Sequence, residues 1–220
     1  LFASTSPGAI QTLPVSTGGG AQNWVEVVNT SGGSAVANLN FYNQEGTLFS
    51  GSPISVNIPA HSQSHFNATS FLGSGAIGKV AVSSSTNSLI AQSMYYFYET
   101  DGAISSMYGT QGVSSSTSTS SGSYNLYLGM YNWMKFVNLD SVANTVNLKV
   151  YTASGVTSKD YLVPGNGSID LGLHDQTQFG TSSNTYGVIT LTGNGVFSQV
   201  LRLRQSARGS FDFAFVTPVE

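Results

Sequence analysis

The sequence predicts an all-β chain built as two antiparallel β-sandwich domains in tandem, related by internal duplication. Three observations predict it: a repeat at constant spacing, side-chain alternation with a period of two, and a Ser/Thr/Gly tract between the copies. Residues 23–46 read NWVEVVNTSGGSAVANLNFYNQEG and residues 132–155 read NWMKFVNLDSVANTVNLKVYTASG. At an offset of 109 and without gaps, eight of these 24 positions are identical: Asn23/Asn132, Trp24/Trp133, Val28/Val137, Asn29/Asn138, Asn38/Asn147, Leu39/Leu148, Tyr42/Tyr151 and Gly46/Gly155. Later segments follow with small gaps. Ile58-Pro59 matches Val163-Pro164, Gly78–Val82 matches Gly187–Leu191, and Ala91–Met94 matches Ser198–Leu201. A repeat of this length marks a structural unit used twice.

Within each copy, apolar side chains recur at every second residue, as on a strand with one buried face. Ala35, Ala37, Leu39 and Phe41 fall on one face, with Asn38, Asn40 and Tyr42 on the other. The second copy sets Val146, Leu148 and Val150 against Asn147, Lys149 and Tyr151. The turns 44–46 and 153–155 end these strands on a glycine able to take positive φ. Further strands are predicted over 9–14, 23–29, 53–58, 63–68, 77–83, 88–98 and 103–110, with equivalents in the second half. Seven or eight short strands per ~100 residues favour a sandwich over a parallel α/β sheet. No segment shows sustained helical periodicity. The tract SSSTSTSSGS (114–123) has no apolar side chain to bury and reads as a flexible linker. The expected organisation is therefore 1–113 (an N-terminal extension plus the first repeat), 114–123 (linker) and 124–220 (second repeat).

Composition narrows the function classes. Only 8% of the 220 residues are charged, with seven Lys+Arg against ten Asp+Glu and a net charge of −3, where an average soluble domain has roughly 25%. Nucleic-acid binding needs a basic stripe to displace counterions, and this chain has none in its sequence pattern. A surface of hydroxyl and amide groups with little charge repulsion tolerates close self-packing. The chain has no cysteine, which rules out disulfides and thiolate metal sites. No run approaches the ~20 apolar residues of a transmembrane helix.

Several residues carry a family resemblance. An early strand ends in Asn (NWVEVVN), and a second strand places an aromatic before a Gly turn (LNFYNQEG). A Pro-Ala-x-Ser edge follows at Pro59–Ser62, then a late strand of A-[EQ]-x-M-Y type at Ala91–Tyr95. The pattern resembles the immunoglobulin-like repeats strung in tandem in bacterial, and some archaeal, secreted surface proteins. It covers most of 20–110 and, more weakly, 124–215, where Pro164 is followed by Gly165 and Met94-Tyr95 becomes Leu201-Arg202. The resemblance implies two tandem immunoglobulin-like antiparallel β-sandwich domains in a structural or adhesive role, at the cell surface or outside the cell, and it supplies no catalytic residues.

The residues themselves offer little chemistry. The three histidines, His61, His65 and His174, stand beside no nucleophile-elbow motif. His61 and His65, four apart on a predicted strand, could face one way toward a metal or simply lie on a polar edge. Asp160, Asp170 and Asp175 could meet around calcium in loops, without the D-x-D-x-D-G spacing. No carboxylate pair recommends itself for glycoside hydrolysis. The expectation is therefore a non-enzymatic chain with no catalytic or metal-ligating residue and no cofactor.

The aromatics carry more. Trp24 and Trp133 recur at one position, either plugging a core or stacking on a ligand. Tyr95 and Phe97 share a strand face, and Arg202 and Arg204 occupy the matching positions in the second copy. A position that accepts Tyr or Arg reads as outward-facing. These four residues are therefore the candidate partner contacts, with Leu1 and Phe2. The N-terminal Leu1-Phe2-Ala3 either frays or adds a strand to a neighbouring subunit's sheet. The expected partners are further copies of the chain, in a homo-oligomer or polymer such as a filament, pilus-like fibre or surface layer. The alternative is an adhesin or carbohydrate-binding module with a glycan or cell-surface partner. N-x-[ST] sequons occur at Asn29, Asn67 and Asn166.

Overall fold

A computed structural model describes residues 7–207 and 209–219; Leu1 and Phe2 lie outside the described residues. Sixteen strands follow one another among the described residues: β1 (Ile10–Ser16), β2 (Gln22–Asn29), β3 (Ala35–Asn43), β4 (Ile54–Ile58), β5 (Gln63–Asn67), β6 (Ile77–Ser83), β7 (Leu89–Tyr98), β8 (Ile104–Gln111), β9 (Thr119–Asn125), β10 (Met130–Asn138), β11 (Asn144–Thr152), β12 (Gly155–Val163), β13 (Ser168–Gly172), β14 (Tyr186–Thr192), β15 (Val196–Gln205) and β16 (Phe211–Val219). Among the described residues, one five-residue α-helix, α1 (Ala68–Leu72), and two 3-10 turns at Gly18–Gly20 and Tyr127–Gly129 interrupt them. The α-helix is started by Asn67, whose side-chain oxygen accepts from the Ser70 N–H, the usual way an Asn satisfies an orphan donor. No helix among the described residues is long and apolar enough to cross a membrane.

The strands form four antiparallel four-stranded sheets. In the first unit the orders are β1-β6-β3-β4 and β5-β2-β7-β8; in the second they are β9-β14-β11-β12 and β13-β10-β15-β16. Adding eight to each strand number of the first unit gives the order in the second. In each unit the two sheets face one another across a shared core, a sandwich-like arrangement. Leu13, Val25, Val27, Leu39, Phe41, Val80 and Val82 fill the first. Met134, Phe136, Val146, Leu148, Val150, Ile189 and Val200 fill the second. The alternation read from 35–41 and 146–150 sets which face turns inward: Ala35, Ala37, Leu39 and Phe41 are buried, as are Val146, Leu148 and Val150.

The repeated asparagines are buried tie points. Asn29 reaches the carbonyls of Gly33 (2.7 Å), Ile58 and Pro59 (both 3.1 Å) with its side-chain nitrogen. Asn138 does the same to Val142 (2.8 Å), Val163 (3.1 Å) and Pro164 (3.0 Å). Asn23 and Asn132 accept from the backbone N–H of Ser16 and Asn125, the last residues of β1 and β9. A buried amide between strand ends closes backbone groups that would otherwise be orphaned. Asn29 is therefore wholly occupied in the fold, whereas Asn67 is exposed.

The segment expected as a flexible linker is corrected in part. Its residues 119–123 belong to β9, which pairs along its length with β14 from Thr119↔Thr192 to Asn125↔Tyr186. An edge strand needs paired backbone groups more than apolar side chains, and Ser and Thr supply the former. Gly122 packs closely against Val219, whose nearest methyl would lie only 3.3 Å from an added Cβ. Only 114–118 run without regular structure.

Candidate interaction surfaces

Tyr95 and Phe97 are core residues, not outward-facing ones. Tyr95 is 0% exposed; its hydroxyl donates to the Pro14 carbonyl at 2.6 Å, and its ring stacks on Tyr108 at 4.4 Å. Burial raises the Tyr95 and Tyr108 phenol pKa values above the usual range. Phe97, 3% exposed, meets Phe211 edge-on at 4.9 Å. Arg202, at the position of Tyr95, turns inward as well. Its guanidinium donates to the Ser123 carbonyl at 2.7 Å and lies 5.0 Å over the Phe215 ring.

Pro14 pairs with Lys79 and Ser123 with Val188, so Pro14 and Ser123 are equivalent positions. Tyr95 and Arg202 thus make the same bond in the two units, from a long side chain with a donor at its tip. Reading "Tyr or Arg" as a sign of exposure missed that shared geometry. Arg204 is half-exposed and forms an ion pair with Asp212 on the neighbouring strand at 3.0 Å.

What Tyr95 and Phe97 contact is the other half of their own chain. Ala21, Tyr95, Phe97 and Tyr108 of the first unit form one apolar cluster with Leu201, Leu203, Trp133, Phe211, Ala214 and Val216 of the second. The first unit contributes one end of its sheet pair; the second contributes the outer face of its β13-β10-β15-β16 sheet. The contact is heterologous, with different surfaces on the two sides.

Around the apolar cluster, Lys79, 1% exposed, donates to the Asn138 carbonyl. Burial lowers its pKa to about 8, with Asp140 opposing. Lys135 and Asp170 form an ion pair within the second unit, at the edge of the contact. The Ser168 N–H donates to Gln44 at 3.1 Å, and a Cβ on Gly46, where φ is 83°, would lie 1.9 Å from the Gly165 carbonyl. A cavity of about 260 Å³ remains between Gly19, Phe97, Trp133, Lys135 and Phe211.

The histidines and acids are dispersed. His61 sits in a turn at φ 50°, off the strand; His65 on β5 lies 3.9 Å from Glu26. Asp160 accepts from Asn147, Asp170 from Lys135, and Asp175 from Thr177, whose two hydrogen bonds hold the Asp175 carboxyl below its usual pKa. Among the described residues no three His, Cys, Asp or Glu side chains gather as for a metal.

Two surfaces went unread in the sequence. The outer face of the β5-β2-β7-β8 sheet presents Trp24, Met94 and Tyr96, half-buried, with Ile104 and Met107 at 54% and 47% exposure. The free end of the second unit presents Tyr127, Leu128, Tyr186 and Val188. There Leu128 is 72% and Tyr186 67% exposed, and the Tyr127 and Tyr186 rings lie 5.7 Å apart. The repeat held the signal for both: an offset of 109 at Trp24, Tyr127, Leu128 and Tyr186, and of 107 at Met94, Tyr96, Ile104 and Met107, maps them onto the two sides of the internal contact. No family model and no curated protein matches this chain.

Proposed function

We propose that this chain is a non-enzymatic structural subunit of an extracellular or cell-surface assembly, and that its two units are immunoglobulin-like domains descended from one duplicated sequence. The observation that carries the reading is the pair of exposed aromatic and aliphatic surfaces, one on each unit, on a chain with 8% charged residues. Apolar patches of this kind mark interaction sites, and a weakly charged surface offers little repulsion to close packing. The shared strand order and the equivalent asparagine ties support the duplication. Negative-stain microscopy with light scattering on the purified chain tests the role: regular fibres or sheets are expected, and a monodisperse 23.0 kDa particle counts against it.

One observation favours a second reading, a carbohydrate-binding surface module. Tyr127, Tyr151 and Tyr186 line an open cavity of about 390 Å³ together with Thr152, Asn184 and Thr185. Aromatic faces beside hydroxyl and amide groups suit the stacking and hydrogen bonding of a sugar. On this reading Tyr186→Ala abolishes retention on a glycan array while leaving the fold intact.

A further inference from the structure

We propose that copies of the chain join head to tail, the free end of the second unit seating on the outer face of the first unit's β5-β2-β7-β8 sheet in the next copy. The inference rests on the self-assembling role proposed above and names the surfaces that perform it.

The internal contact uses the end of unit one and the outer sheet face of unit two, leaving free the end of unit two and the outer sheet face of unit one. Strand register identifies the free residues with the occupied ones. Trp24 stands where Trp133 does, by their shared offset and their facing partners Met94 and Leu201. Tyr96 and Met107 are paired as Leu203 and Ala214 are, and Tyr98 with Ile104 as Gln205 with Phe211. The free sheet face thus carries Trp24, Met94, Tyr96, Met107 and Ile104 at the positions of Trp133, Leu201, Leu203, Ala214 and Phe211, which pack into the internal contact, with Gly109 in place of Val216. At the free end, Tyr127, Leu128 and Tyr186 replace Gly18, Gly19 and Ile77. Inside the chain an added Cβ on Gly19 would lie 3.2 Å from the Phe211 ring. The corresponding pair across two copies is Leu128 against Ile104, two exposed aliphatic side chains in place of a ring over a glycine.

Leu128 supplies an independent sign of function. Its backbone sits at φ 57°, matching Gly19 at φ 64°. A leucine is disfavoured in the left-handed region, where glycine is at ease. Among the described residues, exposed Leu128 belongs to none of the buried apolar clusters, and the proposal assigns its strained side chain to the contact with the next copy.

The seat between copies is not an atom-for-atom repeat of the internal one. Val188 stands in place of Lys79, Glu26 in place of Lys135, and Ser62 in place of Gly167. Arg202 and Arg204 stand in place of Tyr95 and Phe97, one bonded to the Ser123 carbonyl and the other paired with Asp212, so the free end offers Tyr127, Leu128 and Tyr186 rather than a copy of the internal ring cluster. A Cβ on Gly167 would meet the Gln44 carbonyl at 2.3 Å, so Ser62 holds the two turns further apart and the apolar residues make the contact. Because the two surfaces differ, each joined copy leaves one end and one face free, and growth continues copy by copy unless the rotation closes a ring.

Sedimentation velocity on three variants tests the proposal. Leu128→Asp with Tyr186→Asp disables the end, Met107→Lys with Ile104→Lys disables the face, and Leu128→Gly relieves the backbone while removing the side chain. The wild type is expected to form an open-ended series. Each double variant alone should remain a monomer, and their equimolar mixture should stop at a heterodimer. Leu128→Gly should melt no lower than wild type yet associate at least several-fold more weakly.

Dimers of one double variant alone would mean a like-with-like contact and overturn the proposal. Wild-type polymers indifferent to all the variants would overturn it while leaving a self-assembling subunit. A wild type that stays monomeric at every concentration would overturn both. Loss of glycan retention in the end variant with association unchanged would also overturn it and make the Tyr127–Tyr186 pair a sugar platform.

Discussion

Replacing Phe97 with alanine is expected to destabilise the folded chain by about 3–5 kcal/mol, the usual range for removing a fully buried ring from a core. Phe97 is 3% exposed, lies 6.2 Å from the Tyr108 ring and meets Phe211 of the other unit edge-on at 4.9 Å. The ring also lines a cavity of about 260 Å³ that its removal would enlarge, and the cost of such a substitution grows with the volume left empty. The edge-on pair alone should contribute roughly 0.5–1.5 kcal/mol, measurable as the coupling in a Phe97→Ala/Phe211→Ala double-mutant cycle.

Urea unfolding followed by tryptophan fluorescence reads the effect, because Trp133 packs against the same cluster. Tyr98→Ala, one residue along the strand and exposed, is the control and should cost no more than about 0.5 kcal/mol. A loss under about 1 kcal/mol for Phe97→Ala, with an unchanged denaturant slope, would refute the burial of this residue between the units.

Three further outcomes are expected. Asn29→Ala and Asn138→Ala should each cost upward of about 2 kcal/mol by leaving buried carbonyls without a donor, and the two losses should match to within ~1 kcal/mol; unequal losses in urea titrations would break the equivalence of the units. Lys79 is depressed from 10.5 to about 8 in the folded chain, so between those values the unfolded chain binds more protons and stability rises with pH, by at most about 1.4 kcal/mol per pH unit. Lys79→Met should flatten that rise when melts are compared from pH 8 to 10; above pH 10 the raised pKa values of Tyr95 and Tyr108 act in the opposite sense, as unfolded tyrosines lose protons that the folded ones keep. Gly46→Ala should lower the melting midpoint clearly more than Gly155→Ala, since an added Cβ strikes the Gly165 carbonyl at the first position and meets nothing within 4 Å at the second; equal shifts would mean the two turns differ only in their own backbone.

Much of the fold was legible because it is written in local pattern. Strands predicted over 23–29, 63–68 and 77–83 are found at Gln22–Asn29, Gln63–Asn67 and Ile77–Ser83, where alternation and turn residues agree. The strand at Thr119–Asn125 was not, because a Ser/Thr-rich edge strand is held by backbone pairing that composition does not display. The inward direction of Tyr95 and Arg202 was hidden for a related reason: each spends its polar tip on a carbonyl of an opposing strand, a partner 81 and 79 residues away. The contact between the units left its trace only in combination. Trp24/Trp133 and Met94/Leu201 repeat in sequence, yet one set is buried by the other unit and the other set faces outward, a difference that appears only when the units are docked. The same combination gives the exposed Leu128 and Ile104 their meaning.

The absence of cysteine from the chain makes one measurement unusually direct. A variant carrying Leu128→Cys and Ile104→Cys, treated with a short bis-maleimide, should give a covalent ladder at multiples of 23.0 kDa, while either single variant stays monomeric. Ladder-free monomer from the double variant, or dimer from a single one, would contradict head-to-tail joining of these two surfaces.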